Sequence, residues 1–331
     1  MPNDGMRNMN LDRVTLCLNG HNKFEQIFIL TGKGSNGKTC TITLEDRVFG
    51  DLSYCFNSQT FTEKSRNKNE TSEMARTKGM RYAYVQEPDA DSKLQVAQLK
   101  TITSDKITAR DLYKSSVTFK PQFKLNLACN DLPKLSGVDG GISRRLNIIE
   151  FVMKYCDNPT NENDRMVNTN LTKWFESDDT YRDALIHILL DNWKNRVSKF
   201  NKFVLPPECI AFNSQYISSC NELNEFIETN YEIVKYKDMN TKEPNKIKYS
   251  VLYDHFKRIN RNDGIDKVKF TSRLHLIEGV DIKKNHVTHE NTRSKCDYVF
   301  GLKLMEDEDV DENPKAMAFI DDDSDDDPPP P

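Results

Sequence analysis

Apolar residues along this chain come in short unbroken runs set apart by long polar stretches. The run 26–30 (QIFIL) lacks the alternation of a half-exposed strand and predicts a buried one. A glycine-rich loop at 32–37 follows, and residues 38–49 are expected to be helical. Further core strands are predicted at 82–86 (YAYVQ), 123–129 (FKLNLAC) and 146–151 (LNIIEF). Leu94, Ala97 and Ile102 fall broadly on one face of a helix over 94–102, and a longer helix is expected over 180–196. Segments 107–113 and 117–120 flank a short polar turn at 114–116, a hairpin signal. Residues 1–23 are polar and unpatterned and read as a lead-in.

A first domain over 24–205 is expected to end at the Pro206–Pro207 pair, read as a linker. Beyond it lie helices at 219–231, 249–261 and 267–278, then strands at 281–288 and 296–304. Three helices closed by a hairpin suggest a small α+β domain of winged-helix type over 206–304. Residues 305–331 end in DDDSDDDPPPP, which has too little apolar surface to fold and is expected to be disordered.

Composition adjusts this picture modestly. The net charge of −4 is an average over two different regions. Residues 306–331 carry twelve acids and one base; removing that −11 leaves about +7 on the rest, a balance compatible with a nucleic-acid partner. There is no apolar run of transmembrane length and no secretory h-region, so neither a membrane partner nor secretion is expected. The eight cysteines form no CxxC pair and read as free thiols. His286, His289 and Cys296 lack a fourth ligand at zinc-site spacing and read as ordinary residues.

The strongest chemistry is in residues 32–39, GKGSNGKT, a complete G-x-x-x-x-G-K-T between a predicted strand and a predicted helix. Glycines let backbone N–H groups turn inward around an anion, and the helix behind points its positive end at it. Gly32, Lys33, Gly34, Ser35, Asn36, Gly37, Lys38 and Thr39 are therefore expected to bind ATP, with Lys38 on the β- and γ-phosphates and the Thr39 hydroxyl on Mg2+. Hydrolysis also needs a carboxylate. The strand at 82–86 runs into Glu87 and then Asp89; Gln86 occupies the position where an acid more often stands. Glu87 is the expected base and metal-side carboxylate, with Asp89 as the second candidate. Asn130, at the end of the strand 123–129, either orients the attacking water or forms a turn. Arg144 and Arg145 follow a glycine-rich loop and are either surface residues or a finger for a neighbouring subunit's γ-phosphate.

Taken in order, GKGSNGKT, QEPD, ITARDLYKSSVTFKPQFKLNLACN and ISRRLNIIEF resemble the superfamily 3 helicases, and more narrowly the helicase half of the poxvirus-type and phage-type primase-helicases of large DNA viruses. The resemblance covers roughly residues 24–200. It implies an AAA+-like phosphate-loop NTPase core with a parallel sheet, a homo-hexameric ring and ATP-driven movement along single-stranded or forked DNA. It makes Glu87 the base, Asn130 the sensor, and Arg144 or Arg145 the finger acting in trans. The hairpin near Lys114 would project into the ring's channel, with Lys106, Arg110 and Lys114 gripping phosphates and Tyr113 stacking on a base. On the second domain, Lys267, Lys269 and Arg273 mark a recognition helix, and Lys283, Lys284, Arg293 and Lys295 a wing, for DNA or for a protein partner. Relatives usually carry a primase domain or helical collar ahead of the motor. Only about twenty-five residues precede the first strand here, which reads as a split gene, a truncated product, or a chain partnered by a separate primase. The implied location is intracellular, in the host cytoplasm or at a viral replication site. Two other readings share the motifs: an initiation factor in which ATP only sets assembly, and a truncated, inactive paralogue acting through its acidic tail. A small-molecule kinase is disfavoured by the hairpin segment and the long chain beyond the core.

Overall fold

The structure, a computed structural model, describes residues 1–62, 69–88, 92–234, 246–260, 265–289 and 292–305; the side chains at 69–71, 222, 246, 283–289 and 292–296 lie outside that description. The chain divides into two compact units, Met1–Cys220 and from Asn221 onward.

The first unit contains, in chain order, α1 (Asp4–Thr15), β1 (Ile27–Thr31), α2 (Lys38–Phe49), β2 (Ser53–Phe56), α3 (Asn69–Arg76), β3 (Tyr82–Gln86), α4 (Val96–Ile102), β4 (Ile107–Ala109), β5 (Val117–Phe119), β6 (Lys124–Ala128), α5 (Gly140–Ser143), β7 (Leu146–Glu150), β8 (Lys154–Cys156), β9 (Asp164–Met166), α6 (Leu171–Ser177), α7 (Asp179–Asn195) and α8 (Pro207–Ser219). Five strands form one sheet in the order β2-β3-β6-β1-β7, and every neighbouring pair is parallel. All residues of β1 and β6 are buried; β1 reads as a continuous apolar run, whereas β6 also buries Lys124 and Asn126. Phe28 and Leu30 pack with Met6, Met9, Ile42 and Cys209, while Val14, Cys17, Phe49, Tyr82 and Leu189 form an adjoining cluster. The rings of Phe49 and Tyr82 stack with centroids 5.3 Å apart.

Two expectations are corrected. Residues 1–23 are not a featureless lead-in: Asn3 caps α1 by accepting from the Met6 N–H, and Arg13 on α1 is fully buried. Arg13 pairs with the Glu45 carboxylate and donates to Asn126 Oδ1 at 2.7 Å; the second Glu45 oxygen accepts from the Tyr82 hydroxyl at 2.6 Å. Charged and amide residues here face inward, so a search for apolar periodicity passes over the helix. Nor does the first unit end at residue 205. Pro207 opens α8 at a position where a missing N–H costs nothing. The Asn213 amide on α8 then accepts from the Ile148 N–H (2.9 Å) and donates to the Leu146 carbonyl (3.0 Å), covering the outer edge of β7.

The second unit contains α9 (Glu222–Asn230), β10 (Tyr231–Ile233), β11 (Lys246–Lys248), α10 (Tyr249–Ile259), α11 (Lys267–Leu274), β12 (Asp281–His289), β13 (Thr292–Phe300) and β14 (Leu302–Leu304). β11, β13 and β12 form an antiparallel sheet in that order, and β10 pairs antiparallel with β14. Phe226, Phe256 and Phe270 meet at ring distances of 5.2 and 5.1 Å in its core. The predicted strand 296–304 is two strands, broken at Gly301. The side chains of Lys283, Lys284, His286, His289, Arg293, Lys295 and Cys296, and the whole tail from residue 306, lie outside the described residues.

Candidate nucleotide site

A parallel sheet brings the C-terminal ends of its strands to one edge, and ligands of open α/β sheets sit in the crevice beyond that edge. The loop after β1 lies there, flanked in the sheet order by the ends of β6 and β7. Gly32 has φ +146°, and a Cβ on it would lie 2.4 Å from Asn36 Nδ2 and 2.6 Å from the Phe151 carbonyl oxygen, so only glycine fits. Gly37, with φ +85°, turns the chain into α2. Lys33, Gly34 and Ser35 are exposed, and space is open around Gly34.

Lys38, the first residue of α2, is buried. Its ammonium donates to the Gly32 carbonyl, to Asn36 Oδ1 (3.1 Å) and to Asn130 Oδ1 (3.0 Å). Burial lowers its pKa, opposed by the carboxylates of Glu87 and Asp131. The Cys129 thiol beneath it is pushed up to about 11 by burial. Asn36 braces the loop: its Oδ1 also accepts from the Lys38 N–H (3.3 Å), and its Nδ2 donates to the Phe151 carbonyl (3.4 Å). Thr39 follows, exposed, and as the second helical residue its N–H has no partner within the helix.

The fit to a phosphate chain is therefore good. Two glycines of positive φ, a helix N-terminus and a buried lysine meet at one sheet edge. Among the described residues no three His, Cys, Asp or Glu side chains cluster as a metal cage. A Mg2+ ion needs none, since it is commonly held by one or two carboxylates, water and the substrate's own phosphates.

Glu87 follows β3 at the same edge. Its N–H donates to the Ala128 carbonyl (2.8 Å), and its φ is +50°. A non-glycine residue held in the left-handed region costs on the order of 1–3 kcal/mol and persists where surrounding structure fixes it. Asp89 lies outside the described residues. Asn130 follows β6, its carbonyl accepting from the Thr31 hydroxyl at 3.1 Å.

Arg144 and Arg145 are not part of this cluster. They precede β7, and the Arg145 carbonyl accepts from Ile27 at the start of β1, so both stand at the opposite end of the sheet. Five parallel-strand residues at about 3.3 Å each put roughly 16 Å between the two ends. Both guanidinium groups pair with Glu25, Arg145 at 2.7 Å. Arg145 is largely buried and also donates to the Gly141 carbonyl (2.7 Å), whereas the Arg144 side chain is 57% exposed.

The hairpin residues form a separate group. β4 and β5 pair from Ile107↔Phe119 to Ala109↔Val117, so the connecting loop is 110–116, longer than the predicted turn. Asp111 accepts from the Ser72 hydroxyl on α3 and pairs with Lys114 (3.1 Å) and more distantly with Arg76 (3.6 Å); the Ser72 bond and then Lys114 hold its carboxyl well below the usual range. Arg110 Nε donates to the Lys114 carbonyl (2.9 Å). Tyr113, with φ +58°, projects its whole side chain into solvent, and Lys106 is exposed at the hairpin's base. In the second unit, Lys267 on α11 lies over the Tyr253 ring at 5.7 Å, and Lys269 and Arg273 share that helix. No helix among the described residues is long and apolar enough to cross a membrane.

Residues 30–145 match a family of unknown function (DUF5906). Over 238 residues the chain is 32% identical to a protein of Acanthamoeba polyphaga mimivirus named "Putative helicase", covering 68% of this chain and 24% of that one. A frog virus 3 protein with the same description is 28% identical, covering 69% and 24%. A "Putative primase" of African swine fever virus is 26% identical, covering 59% and 21%. The chain thus spans about a quarter of the length of these relatives. The apo C-terminal region of NrS-1 is similar in structure with a TM-score of 0.46 and 12% identity, covering 89% of this chain and 70% of that one. The chain's homologues are proteins of large DNA viruses named as helicases and primases.

Proposed function

We propose that this chain is the ATP-driven motor of a viral DNA helicase, with a phosphate-loop NTPase core in the first unit and a winged-helix-like second unit. The observation that carries the reading is the meeting of Lys38, Asn130 and Glu87 at one sheet edge around a glycine-built loop. The names borne by the viral relatives support a helicase-like role in viral DNA replication, at replication sites within the host cell.

In this reading the backbone N–H groups of residues 33–39 hold the β- and γ-phosphates of ATP, and the Lys38 ammonium exchanges its loop oxygens for theirs. Thr39, with Glu87 or Asp89, would hold Mg2+, which would supply charge neutralisation on the phosphates. Glu87 takes the proton from the attacking water, and Asn130 holds that water in line. Arg144 is the finger and Arg145 its anchor: Arg144 is exposed, stands far from its own chain's loop, and so suits a phosphate in the next copy of a homo-hexameric ring. The loop 110–116 grips single-stranded DNA, with Tyr113 as the stacking platform and Lys106, Arg110 and Lys114 against phosphates. A primase activity is the partner function expected of such a motor.

The test is steady-state ATP hydrolysis at low salt, with and without single-stranded DNA, using Glu87→Gln as control. Several-fold stimulation by DNA, lost in the variant, is the expected result. Binding of ATP without turnover under either condition would overturn the motor and leave an ATP-regulated assembly factor.

A further inference from the structure

The strand β8 brings an aromatic ring to the phosphate loop that no motif singles out. The Tyr155 N–H donates to the Ser35 carbonyl (2.7 Å), fastening the strand to the outer side of the loop. A Cβ on Gly37 would lie 3.3 Å from Tyr155 Cε2 and 3.9 Å from Cδ2, so the ring leans on the turn that starts α2. It is nevertheless 38% exposed: one part of it covers the loop and the rest faces solvent. Its support is firm. β8 pairs in parallel with β9 through Lys154↔Asp164, and Asp164 is fixed by the N–H groups of Thr160 (3.2 Å) and Asn161 (3.0 Å).

A nucleoside triphosphate seated with its terminal phosphates at the start of α2 must carry its ribose and base out past the wall of the loop. An aromatic ring held on that wall, partly open to solvent, offers the base an apolar face to stack on. We infer that Tyr155 stacks against the base of the bound nucleotide and so makes the site select nucleoside triphosphates over bare polyphosphate. The inference rests on the nucleotide-binding reading above. Tyr155 is a specificity residue to which no proton transfer is assigned, and base stacking on an aromatic side chain is sequence-tolerant, so the selection is for the presence of a base.

The experiment measures binding of ATP and of inorganic tripolyphosphate, each with Mg2+, to the full chain and to Tyr155→Ala and Tyr155→Phe. Loss of one stacking platform predicts ATP binding weakened by about 5- to 150-fold in Tyr155→Ala. Tripolyphosphate affinity should stay within about twofold, and Tyr155→Phe should bind ATP like the wild type. Unchanged ATP affinity in Tyr155→Ala overturns the inference. So does an equal loss for tripolyphosphate, which would mean that the ring only braces the loop. A wild-type chain that binds neither ligand overturns the nucleotide site itself, a result distinct from both.

Discussion

Glu45→Gln isolates the charge in the buried network that joins α1 to α2. Arg13 is wholly buried, and its guanidinium is matched by one carboxylate, Glu45, itself 3% exposed. Burial pulls the Arg13 pKa down, but the Glu45 carboxylate more than compensates, and the net direction is upward. Glutamine keeps the shape and can still accept from Arg13, so the substitution removes the charge with little change in packing. A buried cation stripped of its partner costs about 3–5 kcal/mol. For a unit of this length each kcal/mol moves the midpoint by about 2–4 °C, which gives a fall of roughly 6–20 °C. The double variant Arg13→Met/Glu45→Gln buries no charge and forfeits mainly hydrogen bonds, about 1–2 kcal/mol. It should therefore melt above the Glu45→Gln single variant although it carries one more substitution. Differential scanning calorimetry reads this on the transition of larger enthalpy, expected for the longer unit. A single variant within about 2 °C of wild type, or a double variant lower than the single, would refute the reasoning.

Lys38→Ala should abolish ATP turnover with its circular dichroism spectrum intact, and Asn130→Ala should lower kcat by about 100-fold or more with KM little changed; turnover near wild type in either removes that residue from the site. Arg144→Ala should suppress turnover while nucleotide binding, measured by calorimetry, stays within a few-fold, whereas Arg145→Ala should mainly lower the melting temperature; the reverse pattern would exchange their roles. Glu87→Gly should abolish hydrolysis without loss of stability, because glycine relieves a left-handed φ of +50°; a marked fall in melting temperature would mean that the conformation is not strained. Lys124 is buried with its Nζ on the His21 carbonyl (2.6 Å), and burial lowers its pKa to about 8. Between about pH 8 and the ordinary lysine value near 10.4 the unfolded chain holds a proton that the folded one has released, so this group's contribution to stability rises with pH. In urea titrations at pH 7.5 and 9.5 (chosen to straddle about 8), Lys124→Met should lack that rise; parallel profiles would refute it.

The strands that carry the site were legible because they are buried on both faces. β1 and β3 are near-continuous apolar runs, β6 and β7 stand out by their leucines and isoleucines despite Lys124, Asn126 and Asn147, and GKGSNGKT is a complete phosphate-loop pattern. β2, with the sequence SYCF and one buried residue, has no such run and gives no strand signal. α1 was invisible because its inward face carries Asp12 and Arg13, whose burial makes sense only once Arg196 and Glu45 are seen beside them. Tyr155 carries no signal at all in sequence: its place on the phosphate loop depends on a backbone hydrogen bond to a residue 120 positions earlier. The separation of Arg144 and Arg145 from Lys38 likewise follows from strand register and not from any local pattern. The family resemblance supplied roles for these residues, and the geometry supplied a reason to prefer one arginine over the other.

The amide of Asn213 acts as a strand one residue long. It donates to one carbonyl and accepts from one N–H on β7, so the outermost strand meets α8 where it would otherwise offer its backbone to another chain. Copies of this protein are thereby denied, at that edge, one route to aggregation, the zipping of sheet onto sheet. Replacing Asn213 by leucine would keep α8 apolar and packed yet reopen that edge, turning a capped sheet into a template for insoluble assembly.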